Sequence, residues 1–386
     1  MKKKCLILFK WPNYLNKYLI SKLSNFYDVE HLFISNYKNE NFSETIDKIN
    51  STIEYKKIEI VFFDVDFSKF MNFFFVNKIK KVKKVMVTYD DYAVHEMNSI
   101  TANACDIILC QCPLSNLKYK EKGYESYWMP PENDSNIFKN HNLSKEIDVL
   151  FFGQLRNDRK EFIDFLIDKD VKVKVVGHDS NWASEEELIK LISKSKIVLN
   201  FSKSLGETVA NYASTDIYKF NYQLKGRLIQ SGLCGTLCIS EYSPGQELLF
   251  SEEELPMFRT KEECLAIVKR YLSDKNLLEK HSKFFNSKML NLYEEKVNFK
   301  PILKAIDQPS FKKIELVTIP YWYIRIAAKQ IIKKNVSIWN ILSSFYQLKQ
   351  VLKVLEKSSL YVQLLVIIES ILNILWYSIT SIKSRN

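Results

Sequence analysis

Two runs of sequence decide how this chain folds: KSKIVLNFSKS (194–204) and, after a polar interval, YQLKGRLIQSGLCGTLCISEYSPGQELLF (222–250). Of only eight glycines in the chain, Gly206, Gly226, Gly232, Gly235 and Gly245 fall between 194 and 250. Glycine is placed where backbone turns with positive φ or approaches another group closely. The spacing predicts a strand over Lys196–Phe201, a helix over Lys225–Leu233, a strand over Thr236–Ser240, a Pro-Gly turn and a helix from Gln246. This is a βαβ crossover of a parallel sheet, whose ligand crevice forms at the strand C-termini. Lys225 and Arg227 lie at the helix start, where the helix dipole disfavours cations. Either they are a solvated basic turn, or they face an anion such as a phosphate, held there by free N–H groups and both side chains.

Outward from this unit, the pattern repeats on both sides. Before it come strands at Lys4–Phe9, Val29–Ser35, Glu59–Phe67, Lys84–Thr88, Asp106–Cys112 and Ser126–Met129, with helical spacing between several of them. EIVFFDVDF (59–67) is continuously apolar until its end, as in a strand buried on both faces. The stretch MPPENDSNIFKNHNLSK (129–145) is rich in Pro, Asn and Ser and reads as a linker. DVLFFG (148–153) and VKVKVVG (171–177) then open a second sheet. The expected architecture is α/β, two Rossmann-like doubly wound domains facing a cleft, followed by a helical tail. The boundaries are 1–131 for the first domain, 132–147 for the linker, 148–300 for the second domain and 301–386 for the tail.

The two quoted runs resemble the C-terminal domain of GT-B glycosyltransferases of the group 1 type, in particular the spore-maturation-protein-like subset. Lys225, Arg227, Cys234, Gly235, Pro244, Gly245 and Glu247 match its pattern, while Gln230 stands where that pattern carries Glu. The resemblance implies a nucleotide-sugar donor, UDP- or GDP-linked, bound by the second domain. Lys225, Arg227 and Arg159 would neutralise its diphosphate, with Arg156 the neighbouring alternative to Arg159. Gln230 and Glu247, beside Gly245, would orient ribose or donor sugar, although Gln hydrogen-bonds hydroxyls without charge. It implies a glycan, lipid-linked or protein acceptor, cell-envelope polysaccharide synthesis, and no cofactor. The alternative is a catalytically inactive nucleotide-sugar-binding or scaffold protein of an envelope glycan assembly complex.

Two acidic groups lie at strand ends of the first domain. Asp64-Val65-Asp66 mimics a metal-binding D-x-D, but it lies outside the donor domain and is read as strand-end carboxylates, so no metal site is expected. Tyr89-Asp90-Asp91 with His95 gives the candidate catalytic base, Asp90, Asp91 or His95. The alternative reading there is an N-cap Asp and a surface His.

Composition agrees with a globular chain: 386 residues, 46% hydrophobic and 26% charged. Seven cysteines without a C-x-x-C pair suit reduced, buried thiols. The chain carries +11, but residues 311–386 hold eleven basic and three acidic residues, so most of the excess is in the tail. That argues against nucleic acid as a partner and for peripheral contact of the tail with an anionic membrane. Leu360–Ile382 is apolar but interrupted by Gln363, Glu369, Ser370, Asn373 and Thr380, which predicts an amphipathic rather than a spanning helix. MKKKCLILFK has too short an apolar run for a signal peptide. The expected location is the cytoplasm or the inner face of the cell membrane.

Overall fold

The computed structural model describes residues 2–10, 12, 16–34, 42–65, 71–89, 91–131, 133–155, 157–177, 182–203, 222–293, 299–308, 319–320, 322–323 and 360–383. The chain divides into two units. The first comprises Met1–Cys110, Leu117–Tyr127 and Ala305–Asn386, and the second comprises Gln111–Asn116 and Trp128–Lys304. This grouping differs from the sequence boundaries in two ways. The whole Pro/Asn/Ser stretch, together with Gln111–Asn116, belongs to the second unit, and the chain from Ala305 belongs to the first.

The first unit is built on six strands: β1 (Lys4–Phe9), β2 (Asp28–Phe33), β3 (Ile60–Asp64), β4 (Lys83–Thr88), β5 (Ile107–Cys110) and β6 (Ser126–Trp128). Their order is β2-β1-β3-β4-β5-β6, with β1 pairing parallel to both β2 and β3. Every residue of β3 and of β5 is buried, as continuous Val/Ile/Phe runs in a sheet covered on both faces require. The connecting helices are α1 (Asn16–Ser24), α2 (Phe42–Lys56), α3 (Phe73–Lys78), α4 (Asp91–Ala102) and α5 (Pro113–Glu121), the start of α5 up to Asn116 belonging to the second unit. Helices between these strands are expected from the alternation, but the sequence does not delimit α3 and α4. α3 is six residues long, and α4 contains Val94 in a non-helical conformation, so neither gives a sustained helical period.

The second unit carries β7 (Ile147–Phe152), β8 (Val173–Val176), β9 (Ser195–Asn200), β10 (Leu237–Glu241) and β11 (Met257–Phe258), in the order β11-β10-β9-β7-β8. The chain starts at β7, steps to β8, then returns across β7 to β9, so the order reverses between β7 and β9. Doubly wound sheets bind ligands at that reversal, outside the strand C-termini. Its helices are α6 (Asn157–Asp168), α7 (Glu185–Ser193), α8 (Gly226–Leu233), α9 (Lys261–Ser273) and α10 (Lys275–Tyr293). A capping box of Thr260 and Glu263 starts α9. The helix expected from Gln246 is instead a three-residue 3-10 turn, Gln246–Leu248, behind Gly245 at φ +93°. The turn is closed by Leu249 N donating to the Gln246 carbonyl three residues back, and the chain leaves the helical path after that single turn.

After α10 come α11 (Lys300–Asp307) and α12 (Leu360–Lys383). Lys83 Nζ donates to the Ala305 carbonyl, and Lys3 pairs with Asp307 at 2.6 Å, which anchors the end of α11 to the N-terminal edge of the first sheet. Tyr323 is buried in the same unit, accepting from Phe73 N at 2.7 Å and lying 3.1 Å from Thr101 Oγ1. These contacts tie Ala305, Asp307 and Tyr323 to the first unit. All seven cysteines are free and buried. Among the described residues no helix is long and apolar enough to cross a membrane.

Candidate functional site

The site of the second unit is assembled at the reversal between β7 and β9. α8 begins at Gly226 with Lys225 as its N-cap residue, whose side chain makes no capping bond. Arg227, in the first turn, reaches back over the strand ends. Its Nε donates to the Phe152 carbonyl at 2.6 Å and its Nη1 to Asn200 Oδ1 at 3.2 Å. These acceptors end β7 and β9, one on each side of the reversal. The guanidinium also lies over the Phe151 and Phe152 rings, 4.7 and 5.3 Å from their centroids. Cation-π contact and two neutral acceptors hold the group in place but give it no counter-charge. Among the described residues Arg227 forms no ion pair. Burial, reinforced by the neighbouring Arg159, lowers its pKa to about 9.

Arg159 is 7% exposed on the first turn of α6 and donates from Nη1 to the Gln154 carbonyl at 3.0 Å. Its Nη2 donates to the Lys203 carbonyl at 3.4 Å. The two arginines therefore come from α6 and α8 to one place, close enough for each to feel the other's charge. Gly153 makes this possible. It sits at φ +116°, and a Cβ there would fall 2.5 Å from Arg227 Nη2. Any side chain at 153 would both strain the backbone and displace the guanidinium.

Beneath the arginines lies a buried polar network that the sequence reading did not single out. Asn200 Nδ2 donates to Ser240 Oγ at 2.9 Å and to Ser202 Oγ at 3.3 Å. Ser202 Oγ donates to the Glu241 carbonyl at 2.7 Å, and Gln246 Nε2 donates to Ser240 Oγ at 3.1 Å. Glu241, 8% exposed, accepts from Lys203 N at 2.9 Å, and burial pushes its pKa upward. The one available signal was polar residues (Asn200, Ser240, Glu241) closing otherwise apolar strands. The network fixes the ends of β9 and β10 and, through Asn200, the orientation of Arg227.

The other expected donor residues are more dispersed. Gln230 is a turn further along α8, where its carbonyl accepts from Cys234 N at 3.1 Å. Gly245 holds the turn after β10, with its Cβ position 3.2 Å from Leu114. Glu247 is exposed on that turn, accepting from Gly245 N at 3.0 Å and from the Tyr242 hydroxyl at 3.2 Å. Arg156 lies outside the described residues.

In the first unit, Asp91 and His95 meet on α4, and Asp90 lies outside the described residues. Asp91 is fully buried and His95 5% exposed, so the surface-His alternative does not describe this site. His95 Nδ1 lies 2.7 Å from Asp91 Oδ2, while Asn98 Nδ2 and the Tyr119 hydroxyl donate to Asp91 Oδ1 at 2.7 and 2.9 Å. On the other side of the ring, Nε2 lies 3.2 Å from Ser99 Oγ. Burial and then the Asp91 charge raise the Tyr119 pKa well above the usual range, so its hydroxyl stays a donor. Asp64 is buried at the end of β3, and Asp66 lies outside the described residues.

Residues 156–291, which contain both arginines, match the family model described as glycosyl transferase-like. The chain has a GT-B fold, and over residues 156–291 it is similar to the glycosyl transferase-like family. The match is to the broad family and does not pick out the spore-maturation-type subset. Among solved structures, HepE from Anabaena, in complex with UDP and glucose, is similar over 79% of this chain and 99% of its own, at 11% identity and a TM-score of 0.55. Sucrose-phosphate synthase from Thermosynechococcus elongatus is similar over 78% and 98%, at 9% identity and a TM-score of 0.52. A glycosyltransferase from Rickettsia africae is similar over 79% and 98%, at 12% identity and a TM-score of 0.53. At these identities the likeness is one of fold. No curated protein matches the sequence.

Proposed function

We propose that this chain transfers a sugar from a nucleotide-sugar donor, UDP- or GDP-linked, to a glycan, lipid-linked or protein acceptor in envelope polysaccharide synthesis. The observation that carries the reading is Arg227: a buried cation held by neutral acceptors, with the Arg159 cation beside it and no ion pair among the described residues. Two guanidiniums set together at a strand-order reversal are stable only at a cost, which an anion placed between them and the α8 N-terminus offsets. A diphosphate fits that demand, with Lys225 supplying a third cation. That solved neighbours include a complex with UDP and glucose supports the same class of donor.

On this reading the arginines stabilise the charge that develops on the departing diphosphate, the task a divalent ion performs elsewhere. The reaction is therefore proposed to be independent of metal and of any cofactor. Gln230 and Glu247 are proposed to orient ribose or donor sugar. The base for the incoming hydroxyl is proposed from the start of α4, among Asp90, Asp91 and His95. Because Asp91 and His95 are bound to each other and to further buried partners, Asp90 is placed first.

The deciding experiment measures thermal stabilisation by UDP and GDP against uridine and guanosine, then turnover of UDP- and GDP-sugars with and without chelator. Bound ligand raises stability by mass action. Diphosphates should stabilise the protein and nucleosides should not, and turnover should survive chelation. Equal stabilisation by nucleoside and diphosphate would remove the phosphate assignment. Diphosphate binding without turnover of any sugar would leave the inactive binding protein as the better description.

A further inference from the structure

α12 faces the wrong way for a helix that belongs to a water-soluble surface. Its described buried positions include Glu369 and Ser370, 5% and 0% exposed, together with Val366. Its described exposed positions are apolar: Leu364, Ile368, Leu372 and Leu375 follow one another at steps of four, four and three, which is a single stripe on an α-helix. Tyr361 and Trp376 lie at the two ends of that stripe and are 61% and 64% exposed. From Tyr361 to Trp376 the stripe runs about 22 Å at 1.5 Å per residue. A contiguous exposed apolar face of this length marks an interaction surface.

From this geometry we infer that the outward face of α12 docks on an anionic lipid surface, lying in the plane of the membrane. Three observations favour lipid over a second copy of the chain or another protein. First, the exposed face joins aliphatic residues with Tyr361 and Trp376, the mixture that in-plane interfacial helices bury in the headgroup boundary. Second, the charge is complementary: residues 311–386 carry eleven basic and three acidic residues, and one of those three, Glu369, is turned inward. The exposed stripe therefore presents no carboxylate to anionic headgroups, while the flanking cations attract them. Third, Glu369 and Ser370 are covered by protein near the middle of the helix. A spanning arrangement would have to carry that Glu into hydrocarbon, whereas a helix lying flat leaves it where it is. The inference stands apart from the glycosyl-transfer reading, since it uses no residue of the second unit.

Co-sedimentation of the full chain with vesicles tests it, comparing phosphatidylcholine with an equal mixture of phosphatidylcholine and phosphatidylglycerol. The decisive variant is Leu364→Gln/Ile368→Gln/Leu372→Gln, with Ile167→Gln as an exposed apolar control in the second unit. All three positions of the triple variant are exposed, so its melting temperature should match wild type, which circular dichroism verifies. Wild type and the control should bind the anionic vesicles at least tenfold more strongly than the neutral ones. The triple variant should lose binding at least tenfold, and salt should release the wild type. Undiminished binding by the triple variant would overturn the inference, as would equal binding to both vesicle types. So would a wild-type dimer that ignores vesicles and becomes monomeric in the triple variant, since the stripe would then serve a second copy. Protein released only by detergent would indicate a span and overturn the surface arrangement.

Discussion

Each unit buries a charged side chain near strand C-termini, and the two clusters treat that charge in opposite ways. In the first unit the Asp91 carboxylate collects donors from His95, Asn98 and Tyr119. In the second, the Arg227 guanidinium donates to a carbonyl and an amide oxygen, and the charge beside it is another cation. The first cluster is complete within the chain. The second shows no counter-charge among the described residues, and on the proposed reading an anionic donor supplies it. Buried charge is tolerated when it is paired and hydrogen-bonded, so a buried charge opposed by a like charge points to a ligand rather than to stability.

The largest effect is expected where the cluster is complete. Asp91→Ala leaves His95, Asn98 and Tyr119 without their common acceptor, and breaking a buried pair of this kind costs about 3–5 kcal/mol. Chemical denaturation should show that loss, while UDP affinity of the folded protein stays unchanged. If Asp91→Ala keeps wild-type stability and instead abolishes turnover, the cluster is catalytic rather than structural, and the contrast between the units fails.

Arg227→Gln probes the incomplete cluster. Charge-assisted hydrogen bonds are worth about 1.5–3 kcal/mol, so UDP or GDP affinity should fall about 10- to 100-fold. The stability of the unliganded protein should hold or rise, because the variant removes a cation from beside Arg159. A calorimetric titration showing wild-type UDP affinity would place the diphosphate elsewhere.

The same pair of proteins gives a pH test. Free Arg227 titrates near 9, below its ordinary range, because burial and Arg159 disfavour its charged form. Its charge is therefore fully present below pH 9 and is lost as pH rises through that value. In the unfolded chain it persists to higher pH, so the cost of burying it is fully present below pH 9 and lessens above. An anionic ligand needs the charged form. The affinity advantage of wild type over Arg227→Gln should thus be constant below pH 9 and shrink above it. Taking the ratio of the two proteins cancels titration of the nucleotide itself. A ratio that stays flat across this range would mean that the guanidinium does not meet the phosphate.

Gly153→Ala is expected to act on both sides of the contrast. Alanine at φ +116° is strained, and its Cβ would fall 2.5 Å from Arg227 Nη2. A stability loss of about 1–2 kcal/mol should accompany a several-fold loss of UDP affinity. Loss of stability alone would mean that the guanidinium finds an equally good position.

The fold was legible in the sequence because buried parallel strands are written as continuous apolar runs. IVFFD (60–64) and SKIVLN (195–200) announce themselves, and the glycines around Arg227 mark the crossover. α4 was not legible, since its kink at Val94 and its buried Asp, His, Asn and Ser interrupt any apolar period. Arg227 was legible as a cation at a helix start. That Arg159 comes from another helix to oppose it was expected only through a family resemblance, because contacts across 68 residues of chain leave no local mark. Asn200, Ser202, Ser240 and Gln246 were missed for the complementary reason. Each is a small or neutral polar residue whose role is to hold another side chain, and composition does not distinguish that role from an ordinary strand end.

The smallest effect is expected at Glu247, and it sharpens the contrast by testing a charge that is neither buried nor short of partners. Its carboxylate closes its own turn, accepting from Gly245 N and the Tyr242 hydroxyl. Glu247→Gln keeps an oxygen for the Gly245 N–H and removes only the charge. Because the side chain is exposed, stability should change by no more than about 0.5 kcal/mol. If the carboxylate also orients the donor sugar, affinity for a UDP-sugar should fall about fivefold, whereas affinity for UDP, which lacks the sugar, should not move. The ratio of the two affinities is therefore the informative quantity, since a disturbed turn would weaken both together. An unchanged ratio with unchanged stability would confine Glu247 to the surface of the turn. The electrostatic work at the reversal would then rest with the arginines.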